Sequence, residues 1–198
     1  MTYLEILTDI CSQVADPDLD TYKERAKDHF LRAISGKVNE WAKAEKWVEI
    51  EQSIPGFIKT KTDVDFSDAG DTEDLNSLKI FTILSYFLPP GTDKKVIITE
   101  KDPAELNRMS SIETLQPTDN DLFIYRIGNN LYGLVGSGTP VFTLGADTLI
   151  MEYVEDIDDS AWNDTTDLQA AASYQLSYTF MRECIDIAAK TLLDEVRL

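Results

Sequence analysis

Apolar residues recur at helical spacing near the start of the chain. A first stripe predicts a helix over residues 2–14, and a second predicts a longer helix from about residue 19 to at least Trp41. Pro17 lies between the stripes and predicts a turn, so we expect an antiparallel helical hairpin. Gly36 interrupts the second stripe at a cost of about 1 kcal/mol relative to alanine, which predicts a kink or close packing there. The stripes consist of Tyr3, Leu7, Ile10 and Val14, then Tyr22, Ala26, Phe30, Ala33, Ile34, Val38 and Trp41.

From Lys79 onward the spacing becomes that of strands. The β-branched and aromatic run Lys79–Leu88 predicts a strand, which Pro89-Pro90-Gly91 ends. Gly128-Asn129-Asn130 predicts the turn of a β-hairpin. The predicted strands are 57–62, 79–88, 94–99, 122–127, 131–135, 141–144 and 148–154, with a short helix at 104–109. The middle of the chain is therefore predicted to be a β-meander.

The last fifty residues combine a strand, an acidic turn and an amphipathic helix. Thr166 and Gln169 have the spacing of a capping box, which predicts that this helix begins near Leu168 and runs to the last residues. Its apolar stripe is wider than one core contact needs, which favours a helix that is central or shared with another subunit. The stripe consists of Tyr174, Tyr178, Met181, Ile185, Ala188 and Leu192, with Leu176, Phe180, Cys184 and Ile187 beside it.

These elements predict an α+β fold in a single domain over residues 1–198. An N-terminal helical hairpin and a long C-terminal helix are expected to pack with a central antiparallel β-meander. The expected segments are a hairpin at 1–52, an acidic loop region at 53–78, a β section at 79–154, and an acidic link with the C-terminal helix at 155–198.

Charge is the strongest compositional signal. The chain has 36 acidic and 18 basic residues, a net charge of −18, which argues against binding nucleic acid through phosphates. Residues 23–61 hold nine basic and six acidic residues, a local net of +3, so the remainder carries −21. Such polarity favours contact with copies of the chain, or with a partner, through opposite faces. Because no apolar run approaches eighteen residues and the start lacks a basic region, we expect no membrane span and no signal peptide.

The sequence offers little catalytic or metal chemistry. Cys11 and Cys184 lie on apolar helix sides and are interpreted as buried small hydrophobes. His29 is the only histidine and is expected at a surface or boundary, with no nucleophile motif near it. The adjacent acids Asp158 and Asp159 are interpreted as solvated loop residues rather than an acid–base pair. We therefore expect neither an enzyme nor a cofactor.

Two loop motifs fail as ligand sites. The segment Asp63–Asn76 has acids at alternate positions, but its glycine is misplaced and no glutamate closes a calcium loop. It is interpreted as a solvated, mobile loop. Gly136-Ser137-Gly138 lacks the lysine and the following helix of a phosphate loop.

A series of soft motifs follows the order of the predicted elements. An opening motif precedes a long helix, and an aromatic run ending in Leu-Pro precedes a strand pair. A strand ending in Glu-Tyr, an acidic link with tryptophan and a closing helix complete the series. The motifs are Tyr3–Leu7, Phe87-Leu88-Pro89, Phe123–Asn129, Glu152-Tyr153 and Trp162-Asn163-Asp164. In this order of elements and motifs, the chain resembles the head-to-tail connector (adaptor or neck) proteins of tailed bacteriophages, over nearly its whole length apart from the acidic insertion at 63–76.

This resemblance implies a virion structural protein at the head–tail junction, made in the host cytoplasm. Its expected partners are a portal protein, tail or neck proteins, and copies of itself in a ring, commonly a dodecamer. Double-stranded DNA would pass through the ring without specific binding, since an acidic wall repels phosphate. The basic second helix would then face acidic loops of a neighbour and set the register of the ring.

The closing helix supplies the predicted contact surface. The hypothesis places a subunit or portal interface at Trp162, Tyr174, Tyr178, Met181 and Ile185. It expects charged residues at positions 178 and 181 to block assembly but leave the monomer folded.

An alternative interpretation is an acidic binding protein that captures a basic partner, as a DNA mimic does. It explains the net charge of −18 equally well, but not the order of elements.

Overall fold

The structure is a computed structural model that describes residues 1–15, 19, 21–66, 72–105, 116–170 and 174–197. Its helices at both chain ends and the strands between them confirm the α+β class. Contacts divide the chain into two compact units, Met1–Ile58 with Val154–Leu198 (the helical unit) and Lys59–Tyr153 (the sheet unit). The single-domain organisation stays a prediction.

Within its described residues, the helical unit has four α-helices. Helix α2 packs on α4 and on α3, and α1 packs on both α2 and α4. The helices are α1 (Tyr3–Ser12), α2 (Lys23–Lys43), α3 (Trp47–Ser53) and α4 (Tyr178–Val196), and a 3-10 turn spans Pro55–Phe57. Their apolar faces supply fully buried side chains such as Phe30, Ile34 and Leu192, so the amphipathic patterns identify this core.

Helix α1 begins with a capping box. The backbone N–H of Glu5 donates to Thr2 Oγ1 at 3.3 Å, and the N–H of Thr2 donates to Glu5 Oε2 at 2.7 Å. Two backbone donors that the helix leaves unpaired are thus satisfied.

The predicted start of the C-terminal helix is wrong. Helix α4 begins at Tyr178, and Ser177 is its N-cap. Thr166 Oγ1 instead accepts from the N–H of Asn163 at 2.9 Å, and the N–H of Gln169 donates to Asp167 Oδ1 at 3.0 Å. Short polar side chains therefore bond to local backbone and form turns, which compete with helix formation.

Helix α2 ends at Lys43, and the chain turns before α3. The N–H of Lys46 donates to the carbonyl of Trp41 at 2.9 Å, and Glu45 has φ +54°, as in a Schellman-type helix end. Gly36 stays within α2, and a Cβ placed there would meet nothing within 4 Å. The close packing predicted at Gly36 is therefore not found.

In the part of the chain that the structure describes, seven strands form two sheets, with orders β1-β7-β3 and β2-β6-β5-β4. The neighbours are not all sequential and β4 runs parallel to β5, so the strand order is more complex than that of a simple meander. The strands are β1 (Ile58–Val64), β2 (Thr72–Asp74), β3 (Ile80–Phe87), β4 (Ile97–Glu100), β5 (Asp121–Ile127), β6 (Asn130–Val135) and β7 (Leu149–Glu155). A core of buried residues from several strands includes Leu122, Ile124, Leu131 and Met151.

The predicted hairpin is confirmed as the antiparallel pair β5–β6. Gly128 has φ +62° at its turn, and Tyr125 lies opposite Tyr132 with stacked rings 4.9 Å apart. Glycine suits this turn because the left-handed region strains other residues.

Two predictions for the sheet unit are corrected. Residues 141–144 form bends and turns rather than a strand, and Phe142 is buried. The acidic segment includes strand β2, where Glu73 pairs with Lys61 at 2.8 Å, so its charge is partly neutralised within the sheet unit. Residues 67–71 of that segment lie outside the described residues, as do 106–109 of the predicted short helix.

Candidate interaction surface

Trp162 lies in an aromatic cluster of the helical unit rather than on its surface. It is 8% exposed, and its ring centroid is 5.1 Å from that of Tyr3, 6.2 Å from Phe57 and 6.5 Å from Tyr174. The geometries are edge-on, as aromatic quadrupoles prefer. Its Nε1 has no hydrogen-bond partner within the described part of the chain.

The predicted interface on α4 divides into core and surface. Met181 and Ile185 are 0% exposed and belong to the core, so their assignment to an exposed contact face is corrected. Tyr178 is 54% exposed, and its hydroxyl accepts from Arg182 Nε at 3.2 Å. The over-wide apolar stripe is explained by packing against α1 and α2, which needs no neighbouring subunit.

The acidic link between β7 and α4 is anchored to α1 and α2. Asp159 accepts from the Tyr3 hydroxyl and from Lys27 Nζ, each at 2.9 Å, and Asp164 pairs with Lys23 at 3.1 Å. Burial and the bond to Asp159 raise the pKa of Tyr3 above its ordinary value. The hydrogen bond to Asp159 raises the pKa of Lys27. The link's acids thus stabilise the helical unit.

Basic residues of α2 also form ion pairs with carboxylates of α4 in the same chain. Glu195 lies 2.7 Å from His29 and 3.2 Å from Arg25, and Lys37 pairs with Glu183. The hydrogen bond from His29 and the charges of Arg25 and Arg32 lower the pKa of Glu195. The prediction that the basic charge of α2 faces a neighbour is therefore corrected for these paired residues.

The side of α2 that faces solvent keeps a basic row, which we call the basic seam. Its members recur at three-, four- and seven-residue spacing, so they share one helix face, and none is acidic. Among the described residues, Arg32 and Lys43 make no ion pair within 4.0 Å. The basic seam consists of Arg25, Arg32, Gly36, Asn39 and Lys43, all exposed.

The solvent side of α4 carries a row of opposite sign, which we call the acidic seam. Ile187 is 41% exposed within it, and Asp186 and Asp194 make no ion pair in the described part of the chain. The acidic seam consists of Glu183, Asp186, Ile187, Lys190 and Asp194, all exposed. Neither seam could be predicted from the apolar stripes and the regional charge, because these patterns do not show which charged residues share an exposed helix face.

The described residues offer no constellation for metal chemistry. Within them, no group of three His, Cys, Asp or Glu residues is placed to hold a metal ion. Cys11 and Cys184 are buried, as predicted, and burial raises the pKa of the Cys184 thiol to about 12. No helix in the described ranges is both long and apolar enough to cross a membrane.

A scan against protein-family models and a search of curated proteins both find no match to the chain.

Proposed function

We propose that the chain is a head-to-tail connector protein of a tailed bacteriophage, a ring component below the portal. The observation that carries the proposal is the order of the resembling motifs along nearly the whole chain. Two of these motifs lie at strand ends, since Phe87 ends β3 and Ile127 ends β5, and Trp162 lies in the link between β7 and α4.

The charge supports the same proposal. A ring of chains that each carry −18 surrounds a DNA channel with negative potential, which repels phosphate and keeps DNA from sticking during packaging and ejection. Such a ring would extend the channel and give tail components a docking surface. No enzymatic step is required of it.

The proposal is tested by mixing the purified chain with candidate portal proteins and measuring particle mass by mass photometry. We expect a complex of portal plus several copies of the chain, seen as a ring by negative-stain electron microscopy. A portal from the same genome that neither gains mass nor changes in outline would contradict the proposal. Portal and major capsid genes close upstream of this gene would add independent support.

The net charge also favours a second candidate, an acidic protein that captures a basic nucleic-acid-binding partner. Such a protein would bind a DNA-binding protein in competition with DNA and form no complex with a portal. A DNA-competition assay beside the portal experiment separates the two functions. The connector function predicts binding only in the portal experiment, and capture of a basic partner predicts binding only in the competition assay.

A further inference from the structure

We propose that the basic seam of one copy packs against the acidic seam of a second copy of this chain. The contact joins α2 of one protomer to α4 of the next. It deepens the proposed function and rests on it for its biological role, since a ring requires a contact between different faces of neighbouring copies.

Complementary charge is the first support. The basic seam has three cationic and no acidic members, whereas the acidic seam has three carboxylates and one lysine. Two seam members already pair within their own chain, Arg25 with Glu195 and Glu183 with Lys37. A second copy can therefore pair the remaining charges, which are Arg32 and Lys43 on the basic seam and Asp186 and Asp194 on the acidic seam.

The dimensions of the two seams also agree. At a rise of 1.5 Å per residue, Arg32 and Lys43 lie about 16 Å apart along α2, and Asp186 and Asp194 about 12 Å apart along α4. Long arginine and lysine side chains span the difference of about one helical turn.

Gly36 supplies a place for close approach. A glycine within a helix destabilises it relative to alanine, yet no atom of the described chain lies near the position of a Cβ at Gly36. Ile187 is an exposed apolar side chain between the acidic residues of the other seam. An isoleucine seated over a glycine lets two helices approach closely, and it explains both residues at once.

The partner is a second copy rather than a nucleic acid. Glu24, Asp28 and Glu40 are exposed beside the basic seam on the same helix, so the surrounding potential disfavours phosphate. The same chain offers the complementary carboxylates at a spacing that differs by only about one helical turn. Because the two seams are different surfaces, their contact is heterologous and closes into a ring or continues as a filament.

Charge reversal tests the contact. Arg32→Glu with Lys43→Glu, and separately Asp186→Lys with Asp194→Lys, should each weaken self-association about tenfold or more at low salt. The four changes in one chain should restore it, because the charges are exchanged. Sedimentation velocity over a concentration series measures the association, and circular dichroism checks that each variant is folded. Folded double variants that associate like the wild type, or a quadruple variant without recovery, would overturn the proposal.

A steric pair tests the glycine. Gly36→Leu should fold, because the site is open, but should lose association, and Gly36→Ala should lose less. A chain with Gly36→Cys and Ile187→Cys should form disulfide-linked oligomers under mild oxidation at high protein concentration. The control chain with Val48→Cys and Ile187→Cys places an exposed thiol on α3 instead and should stay largely monomeric. Equal cross-linking in both chains, or none in either, would refute the contact.

These results separate the contact from the proposed function. If the charge exchange and cross-links behave as expected but no portal complex forms, the contact stands and the connector function fails. Portal-bound rings that tolerate every seam substitution would leave the connector function in place and reject this contact.

Discussion

Gly36 and Gly56 are both glycines of the helical unit, but their surroundings are opposite. A Cβ at Gly56 would lie 2.1 Å from the backbone nitrogen of Gln175, whereas one at Gly36 would meet nothing within 4 Å. A methyl group at position 56 must therefore push one backbone segment away from another. A methyl group at position 36 displaces no contact and only reduces the conformational entropy of the unfolded chain.

We therefore expect Gly36→Ala to raise the free energy of unfolding by about 0.5–1 kcal/mol, from the difference in helix propensity. Gly56→Ala is the matched control and should lower it, because the displaced contact is with backbone. Urea denaturation followed by circular dichroism measures both. An unchanged or lower stability in Gly36→Ala would mean that α2 is not a regular helix at this position.

Residue-scale prediction from sequence succeeded where side-chain hydrophobicity decides the outcome. The burial of Cys11 and Cys184 followed from their apolar helix sides. The prediction of close packing at Gly36 was wrong for the described chain. A glycine allows close approach, but the sequence does not show whether a group of the same chain approaches it.

At the scale of elements, α4 shows how an amphipathic helix uses its two sides. Met181 is fully buried, and Tyr178, three residues earlier, is 54% exposed. The apolar stripe therefore includes both the core and a residue outside it. This difference in exposure determines what a charged substitution does at each position.

Met181→Glu should unfold the helical unit or lower its free energy of unfolding by several kcal/mol, because an unpaired carboxylate is costly to bury. Tyr178→Glu should remain folded within about 1 kcal/mol of the wild type, since the side chain is largely in solvent. Thermal unfolding followed by circular dichroism compares them. A stable Met181→Glu variant would restore the hypothesis that this residue lies at an exposed interface.

The sequence predicts a helix boundary only where the tertiary contacts of that segment allow the local hydrogen bonds of the helix cap to form. Thr2 and Glu5 form a capping box, whereas Thr166 and Gln169 have the same spacing and do not. The difference is tertiary, because the N–H of Tyr3 donates to the carbonyl of Thr166 at 2.9 Å and draws that segment into a bridge with the chain start. The spacing of Thr166 and Gln169 in the sequence gives no information about a contact with residues so distant in the chain.

At the scale of the whole molecule, four of the six lysine and arginine residues of α2 make ion pairs within the helical unit. The regional charge predicted contact with copies of the chain or with a partner, whereas the basic residues of α2 pair with Asp159, Asp164, Glu183 and Glu195 of the same chain. Whether these partners lay in the same chain could not be decided, because charge sums carry no distances. The two seams are defined by the exposure of their residues on α2 and α4, which a charge sum does not give.

The pairing of Glu195 predicts a pH dependence of stability. Its pKa is lowered by the hydrogen bond from His29 and by Arg25, so the folded state holds the charged form more strongly than the unfolded state. This contribution is complete above the ordinary pKa of 4.5 and is lost as the pH falls through the lower folded value. The stability difference between wild type and Glu195→Gln should therefore shrink from about pH 6 to about pH 3. Urea titrations at both values measure it, and a constant difference would contradict the assigned pair.

The helical unit is assembled from two segments, Met1–Ile58 and Val154–Leu198, with the sheet unit between them in sequence. A ribosome therefore releases α1, α2 and α3 long before α4, which covers their apolar faces. During that interval the early helices lack both the core of α4 and the carboxylates of the link. The sheet unit is a continuous segment and can therefore fold before α4 has been translated. The apolar faces of the early helices therefore remain exposed to proteases and to premature association until α4 has been translated.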